Sequence, residues 1–322
     1  MTIDATSSQN TAAHPGDEHP GVRHEAYLYR DDEEFLAGTM PHLRKGMESG
    51  APTFVVTPEH EAGLLRDALG AEVPAVQFLD PADLYTNPVR AMAALTAVAR
   101  TLNTTPAWVV ASDDWSRYPD ELEWVRYDAV FNLSFAHIPF RTLCCYDTEA
   151  LRPETIALVR QTHPRLLEGS QIVDNPAYRK PGDFVADLDR RPLAASPHSA
   201  ATMQILPADL HAVRQFVAEQ ARRCGVTADA LHNLLVAVTE VATNAIRHGK
   251  APVTLRTWPD NGLICEVTDS GHWQPDEFIT WSPPESSADS GFGLWSVGML
   301  CDTVQVRTGA TGTTVRLRTC AA

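Results

Sequence analysis

Two hydrophobic rhythms alternate along the chain. Between residue 24 and about residue 170, short apolar runs are each followed by a stretch of helical period. AYLY precedes 33–49, PTFVV precedes 59–69, AVQFL precedes 88–102, WVVAS precedes a helix through Asn132, and RTLCCY precedes 153–162. Strands alternating with helices of this length predict a parallel sheet covered on both faces. From about Asn175 to Pro207 the chain is Pro-rich and keeps no such rhythm, which reads as a connector. Beyond it, LICEVTD ends like a strand. Thr303 to Arg307 and the alternating Thr313, Val315 and Leu317 predict a hairpin across a Gly-bearing turn. Residues 1–20 are rich in Ser, Thr, Ala, His and Pro without apolar periodicity, as expected of a disordered tail. The expected organisation is a tail 1–20, an α/β domain 21–174, a linker 175–206 and a second α/β domain 207–322, with no internal repeat.

The most informative helix is the one predicted over 231–249. At about 100° per residue, Leu231, Leu234, Leu235, Val238, Val241, Ala242, Ala245 and Ile246 fill one arc, and Glu240, Asn244 and His248 lie opposite. One face packs and the other can meet a ligand. A hard cation such as Mg²⁺ takes oxygen ligands and keeps substrate phosphates in its shell, so an Asn amide oxygen one turn from a carboxylate can anchor it. The carboxylate is then free to act as a base. Asn is a mediocre helix former and needs a reason to sit mid-helix; the plain alternative is an exposed polar position. Glu240 taken alone also fits a solvated surface charge. His248 before Gly249 suits a helix end.

The segment TEVATNAIRHG resembles the N box of the gyrase, histidine-kinase and MutL ATPase superfamily, and three further boxes follow in order. Asp269 and Gly271 in VTDSGHW resemble its adenine-binding loop. Gly291 and Gly293 in SGFGLWSVGML resemble its phosphate-binding turn, and Gly312 and Thr313 in TGTTVRLR its closing strand. The resemblance covers about 205–319 and implies a C-terminal α/β sandwich of the histidine kinase-like ATPase type that binds ATP and Mg²⁺. It implies Glu240 as catalytic base, Asn244 as metal ligand, and an adenine amine donating to Asp269. It leaves standing that Asp-Ser-Gly is also an ordinary turn and that Thr313 is also a strand residue. The short spacing from Gly271 to Gly291, and LHAVRQFVAEQARRCGV upstream, resemble the bacterial anti-sigma factor and serine-kinase branch. There are two departures. Trp273 stands where the adenine loop usually has a second glycine. The lid, 272–290, has no Lys or Arg and carries Asp276, Glu277, Glu285 and Asp289, so phosphate charge falls to Mg²⁺ and backbone N–H groups.

The first domain resembles another family. RHEAYLYRDDEEFLAGTMPHLRKGMESGAP, the later CCYDT and THPRLLEG are similar to the MEDS-type sensory domain of bacterial regulators. That implies a RecA-like parallel sheet that senses a small molecule, and no G-x-x-x-x-G-K-[ST] is present to make it a P-loop ATPase. Ligands of open parallel sheets bind beyond the carboxyl ends of the strands. That rule brings forward Asp113, Asp114, Trp115, Tyr146 and Asp147 as pocket residues, each of which also fits ordinary loop chemistry. His24 with Glu25 is a candidate metal or acid–base pair, although Tyr127 and Asp128 stand where related domains often repeat a His-Glu pair. A lone His at a strand start, like His163 before Pro164, more often serves the core. Cys144 and Cys145 should point to opposite sheet faces. Trp108, Trp115 and Trp124 are expected to pack, or to line an apolar pocket.

Composition narrows the function. A formal net charge of −15 argues against direct nucleic-acid binding, which draws on Lys and Arg at phosphates. No run approaches the roughly 20 apolar residues of a membrane span, and no signal peptide is evident, so a cytoplasmic protein with protein partners is expected. The six cysteines lack CxxC spacing and suit reduced thiols. The resemblance then implies an anti-sigma regulatory factor that binds Mg·ATP and phosphorylates an antagonist on Ser or Thr. Its partners would be a sigma factor and a STAS-type anti-anti-sigma protein, with a small-molecule effector at the first domain and dimerisation left open. Two alternatives stand beside it. One is a partner-binding module without catalysis, which the acidic lid and Trp273 favour. The other is a sensor histidine kinase, for which 204–225 offers only His211 without the expected acidic neighbour.

Overall fold

The structure is a computed structural model that describes residues 21–102, 106–113, 115, 118, 120–206, 209–271, 281, 292–309 and 312–321. The expected tail 1–20 therefore lies outside the described residues. Two sheets organise the chain. The first is built from β1 (Arg23–Tyr29), β2 (Thr53–Val56), β3 (Gln77–Leu79), β4 (Ala107–Ser112), β5 (Phe140–Asp147), β6 (Arg165–Glu168) and β7 (Gln171–Asp174), in the order β3-β2-β4-β5-β1-β6-β7. Every pairing in it is parallel except the β6–β7 hairpin at one edge. The parallel α/β sheet read from the sequence is thus present, with an antiparallel edge added.

Alternation along β1 shows how the sheet is clothed. Ala26 and Leu28 face a core shared with α4 (Pro88–Thr101), α5 (Glu121–Ser134), α6 (Pro153–Thr162) and α7 (Pro181–Asp189). Tyr27 and Tyr29 face the other core, against α1 (Asp32–Glu48) and α2 (Glu59–Leu69). Cys144 packs on the first side and Cys145 on the second, as period-two alternation requires. Helix starts follow local chemistry. Asp31 caps α1 by accepting from Glu34 N at 2.9 Å, and Asn87 caps α4 by accepting from Arg90 N at 2.7 Å. The short α3 (Pro81–Leu84) leads into α4.

The second sheet is antiparallel, in the order β11-β12-β10-β9-β8, from β8 (Ala201–Ile205), β9 (Val253–Pro259), β10 (Gly262–Asp269), β11 (Thr303–Gly309) and β12 (Gly312–Cys320). One face buries Val253, Leu255, Leu263, Cys265, Val267, Val315 and Leu317 against α8 (Leu210–Arg223), α9 (Ala228–His248) and α10 (Phe292–Leu300). In α9 the buried set is Leu234, Ala237, Val238, Val241, Ala242 and Ala245, close to the arc expected from helical periodicity. The opposite sheet face carries the buried pair Arg316–Glu266, and Arg316 also donates to Ala194 O at 2.7 Å. The stretch 175–206, read from its prolines as a plain linker, accordingly holds structure. It contains α7, whose Phe184, Val185 and Leu188 are buried in the first core, and β8, the edge of the second sheet.

The two halves share surface. Asn87 Nδ2 donates to Gly298 O at 3.1 Å and Cys301 O at 2.8 Å, and Arg90 Nε donates to Met299 O at 2.8 Å. Trp281 is buried in the first core, where Trp295 and Met299 of α10 also pack. Arg318 reaches Asp120 Oδ2 at 2.9 Å. Among the described residues no helix is long and apolar enough to cross a membrane.

Candidate functional site

A cleft with about 860 Å³ of free space, part of it open to solvent, lies between α9 and the β10–β12 pair. It is lined by Val241, Asn244, His248, Asp269, Leu294 and Thr313 among others. The antiparallel register sets Asp269 opposite Thr313 at the mouth of the sheet. Asp269 is 9% exposed, and its Oδ1 accepts from Gly271 N at 2.7 Å and Lys250 N at 3.3 Å. Both bonds use one oxygen, which leaves the other for a ligand. Thr313 Oγ1 is buried without a hydrogen-bond partner among the described residues. A buried hydroxyl left unsatisfied costs about 1–3 kcal/mol, which a ligand in the cleft would recover.

Asn244 Nδ2 donates to Glu240 Oε1 at 3.2 Å. With its nitrogen so committed, Asn244 presents its carbonyl oxygen as the remaining ligand atom, the donor type that Mg²⁺ prefers. Glu240 is held from a second side. A Cβ on Gly293, at the start of α10, would lie 2.1 Å from Glu240 Oε1, so only glycine admits the carboxylate there. Gly312 serves the opposite wall. Its φ is +129°, and a Cβ there would meet Asp269 O at 1.9 Å. His248 lines the cleft as an exposed residue of the last turn of α9. The structure thus brings together Glu240, Asn244, Asp269, Gly271, Gly293, Gly312 and Thr313. Gly291, Trp273 and the acidic lid positions lie outside the described residues.

A second cavity, with about 640 Å³ of free space of which much is open to solvent, sits beneath α4 and α5 on the first sheet. Its wall is aromatic, with Tyr85, Trp115, Trp124, Tyr127 and Phe131, and its polar rim includes Asp113 and Ser112 at the carboxyl end of β4. Of the pocket residues read from the sequence, His24, Asp113, Trp115 and Tyr146 line it. Glu25 does not. It points to the other sheet face and lies 3.8 Å from Arg165, so the His24–Glu25 pairing is undone by strand alternation. Asp147 is also absent from the lining, because its Oδ1 closes the following turn by accepting from Glu149 N at 2.8 Å. Asp114 lies outside the described residues.

The floor of this cavity holds residues that sequence reasoning undervalued. His24, Asp128, Cys144 and His163 each bring one donor atom to within 4.8 Å of all the others. Burial pushes Asp128 up to about 8 and His163 down to about 4. Burial likewise raises the Cys144 thiol well above its ordinary value and lowers His24 well below its own. Burial thus favours the uncharged form of each of the four groups. The histidines had looked like core residues, and Asp128 had looked like a departure from a family pair. The β1–β5 and β1–β6 pairings set His24, Cys144 and His163 near one another, and α5, packed on that face, adds Asp128.

Residues 23–164 match the model of the family described as MEDS, methanogen/methylotroph, DcmR sensory domain, and residues 203–319 match that of the histidine kinase-like ATPase domain. The N-terminal half is thus similar to the MEDS sensory domain and the C-terminal part to the histidine kinase-like ATPase domain. Among solved structures the chain is similar to the RsbU and RsbW domains of Rv1364c from Mycobacterium tuberculosis, at 19% identity and a TM-score of 0.28, over 39% of this chain and 33% of that one. It is also similar to the Erythrobacter litoralis EL346 blue-light activated histidine kinase, at 22% identity and a TM-score of 0.24, over 35% of this chain and 40% of that one. The chain thus spans a third to two fifths of the length of these relatives. No curated protein matches it.

Proposed function

We propose that the protein is an anti-sigma regulatory factor with serine/threonine-protein kinase activity. In this reading it binds Mg·ATP in the α9–β10–β12 cleft and passes the terminal phosphoryl group to a hydroxyl of an antagonist protein. The observation that carries the reading is the convergence on one cleft of Asp269 with a spare oxygen, the Thr313 hydroxyl without a partner among the described residues, and Asn244, whose amide donates to Glu240 behind it.

Each residue has a task that its geometry suits. Asp269 accepts from the adenine exocyclic amine, and Thr313 contributes a hydroxyl beside it. The backbone at the start of α10 offers N–H groups to the phosphates. Asn244 would hold Mg²⁺ through its amide oxygen, and the ion would supply charge neutralisation for the transferring group. Glu240 takes the proton of the attacking hydroxyl as that oxygen bonds to the γ-phosphorus. The bond from the γ-phosphorus to the bridging oxygen breaks, and ADP leaves with the electron pair. The partners in this reading are a sigma factor and a STAS-type anti-anti-sigma protein, and a small apolar effector occupies the aromatic cavity.

Titration calorimetry with Mg·ATP tests the site first. Saturable binding should depend on Mg²⁺ and be lost in Asn244→Ala. Glu240→Ala should abolish transfer of labelled phosphate to a STAS-type substrate while keeping ATP affinity within about threefold. Binding without transfer to any Ser or Thr would reduce the protein to a nucleotide-gated binding module. Absence of binding would remove the kinase reading altogether.

A further inference from the structure

We propose that His24, Asp128, Cys144 and His163 form a binding site for one divalent transition-metal ion of the zinc type, at the floor of the sensory cavity. Three features of the cluster point there, and none depends on the nucleotide site.

The first is the aim of the lone pairs. His24 Nδ1 lies 3.1 Å from Asn132 Oδ1, and the orientation of that amide is fixed because Asn132 Nδ2 donates to Asp128 O and Thr162 O, at 3.1 and 2.8 Å. His24 Nδ1 must therefore carry the hydrogen. Its Nε2 is left with a lone pair directed at Cys144 Sγ, 3.3 Å away. His163 repeats the arrangement, with Nδ1 donating to Val159 O at 2.9 Å and Nε2 turned inward. The phenol of Tyr146 lies near that nitrogen, but its single hydrogen serves Asp128 Oδ2 at 2.6 Å. Metal-bound histidines have this signature: the outer nitrogen is tied to a carbonyl, and the inner one is free to ligate.

The second feature is spacing. Around zinc, metal–nitrogen bonds of about 2.0–2.1 Å and a metal–sulfur bond of about 2.3 Å place tetrahedral donors roughly 3.3–3.6 Å apart. His24 Nε2 and Cys144 Sγ already stand at 3.3 Å, and His163 Nε2 and Asp128 Oδ2 at 4.0 Å. A modest contraction closes the set. The third is charge. A thiolate and a carboxylate offset the two positive charges of the ion, and two imidazoles add none, so the filled site is neutral in an apolar surround. On binding, the Cys144 proton and the Asp128 proton leave to solvent. Nitrogen, sulfur and oxygen donors in this mixture suit Zn²⁺ rather than Mg²⁺ or Ca²⁺.

The test uses the full chain, stripped with a chelator and titrated with Co²⁺, whose bond to sulfur gives a near-ultraviolet charge-transfer band and whose tetrahedral sites absorb in the visible. One equivalent should bind with both signals, and Zn²⁺ should displace it. Cys144→Ser should remove the sulfur band, and Asn132→Ala, which frees His24 to turn, should weaken affinity about 10–100-fold. Cys145→Ala, on the opposite sheet face, should leave the spectrum unchanged. A folded wild-type chain that gives no sulfur band overturns the proposal, even if Cys144→Ser fails to fold. So does a band that persists in Cys144→Ser, which would place the metal on another of the six cysteines.

Discussion

On the proposed reading, Asp269→Asn separates recognition of the base from maintenance of the fold. In the wild type, one carboxylate oxygen takes both Gly271 N–H and Lys250 N–H, at 2.7 and 3.3 Å. An asparagine keeps that oxygen, so both backbone donors stay satisfied and the melting temperature should move by no more than a few degrees. The other position changes from an acceptor to an N–H₂ donor. Adenine presents an amine there, so a charge-assisted hydrogen bond worth about 1.5–3 kcal/mol is replaced by two donors facing each other. At 1.4 kcal/mol per factor of ten, Mg·ATP affinity should fall at least 10–100-fold. Guanine presents a carbonyl oxygen at the same position, so Mg·GTP should lose little and the ATP/GTP preference should narrow by more than tenfold. Calorimetry of both nucleotides on wild type and variant reads the ratio directly. An unchanged ATP affinity in a folded variant would refute adenine recognition by Asp269.

Gly293→Ala places a methyl group 2.1 Å from Glu240 Oε1. The carboxylate must swing aside and release Asn244, so single-turnover phosphoryl transfer should drop about 100-fold with little change in melting; turnover within twofold of wild type would contradict the placement. Asn87→Ala removes the cap of α4 and two hydrogen bonds to the carbonyls of Gly298 and Cys301 at the end of α10, for about 2–4 kcal/mol in urea unfolding, and a loss below about 0.5 kcal/mol would deny that contact. Burial pushes the half-buried His42 down to about 4, while its Nε2 donates to Arg141 O at 3.0 Å. Its neutral form is favoured by folding, so the stability it contributes is present above pH 6.5 and is lost as pH falls through 4. The loss is about 1–2 kcal/mol once its partial exposure is allowed for. His42→Gln should flatten that limb of a pH–stability curve, and an unchanged slope would argue otherwise.

The grouping of residues at the α9–β10–β12 cleft was legible because they sit in local patterns. Glu240 and Asn244 share a helix stripe whose opposite arc is apolar, and Asp269 closes an alternating strand. Each signal fits within a few turns of chain. The buried cluster was not legible, because His24 and Cys144 stand 120 positions apart and become neighbours only through sheet order. Glu25 misled for the reverse reason, since adjacency in sequence places it on the other side of the sheet from His24. In the stretch 175–206, Pro181 opens α7 and Pro192 follows it, and these prolines masked a short helix that buries Pro181, Phe184, Val185 and Leu188. β6 and β7 are four residues each, too short for a periodicity to declare itself.

The helix α10 does not finish itself. It lacks a basic residue in its last turn, and the carbonyls of Gly298, Met299 and Cys301 are taken by Asn87 and Arg90 of the sensory domain. Nine residues at about 1.5 Å each make a rod roughly 13 Å long, with Gly293 against Glu240 near one end and these borrowed donors at the other. A rod gripped at its far end has little freedom to tilt. Displacement of α4 by even a fraction of a helical turn would be delivered through Gly293 to the Glu240 carboxylate as leverage, so the first domain holds the handle of a lever whose tip is the base proposed above.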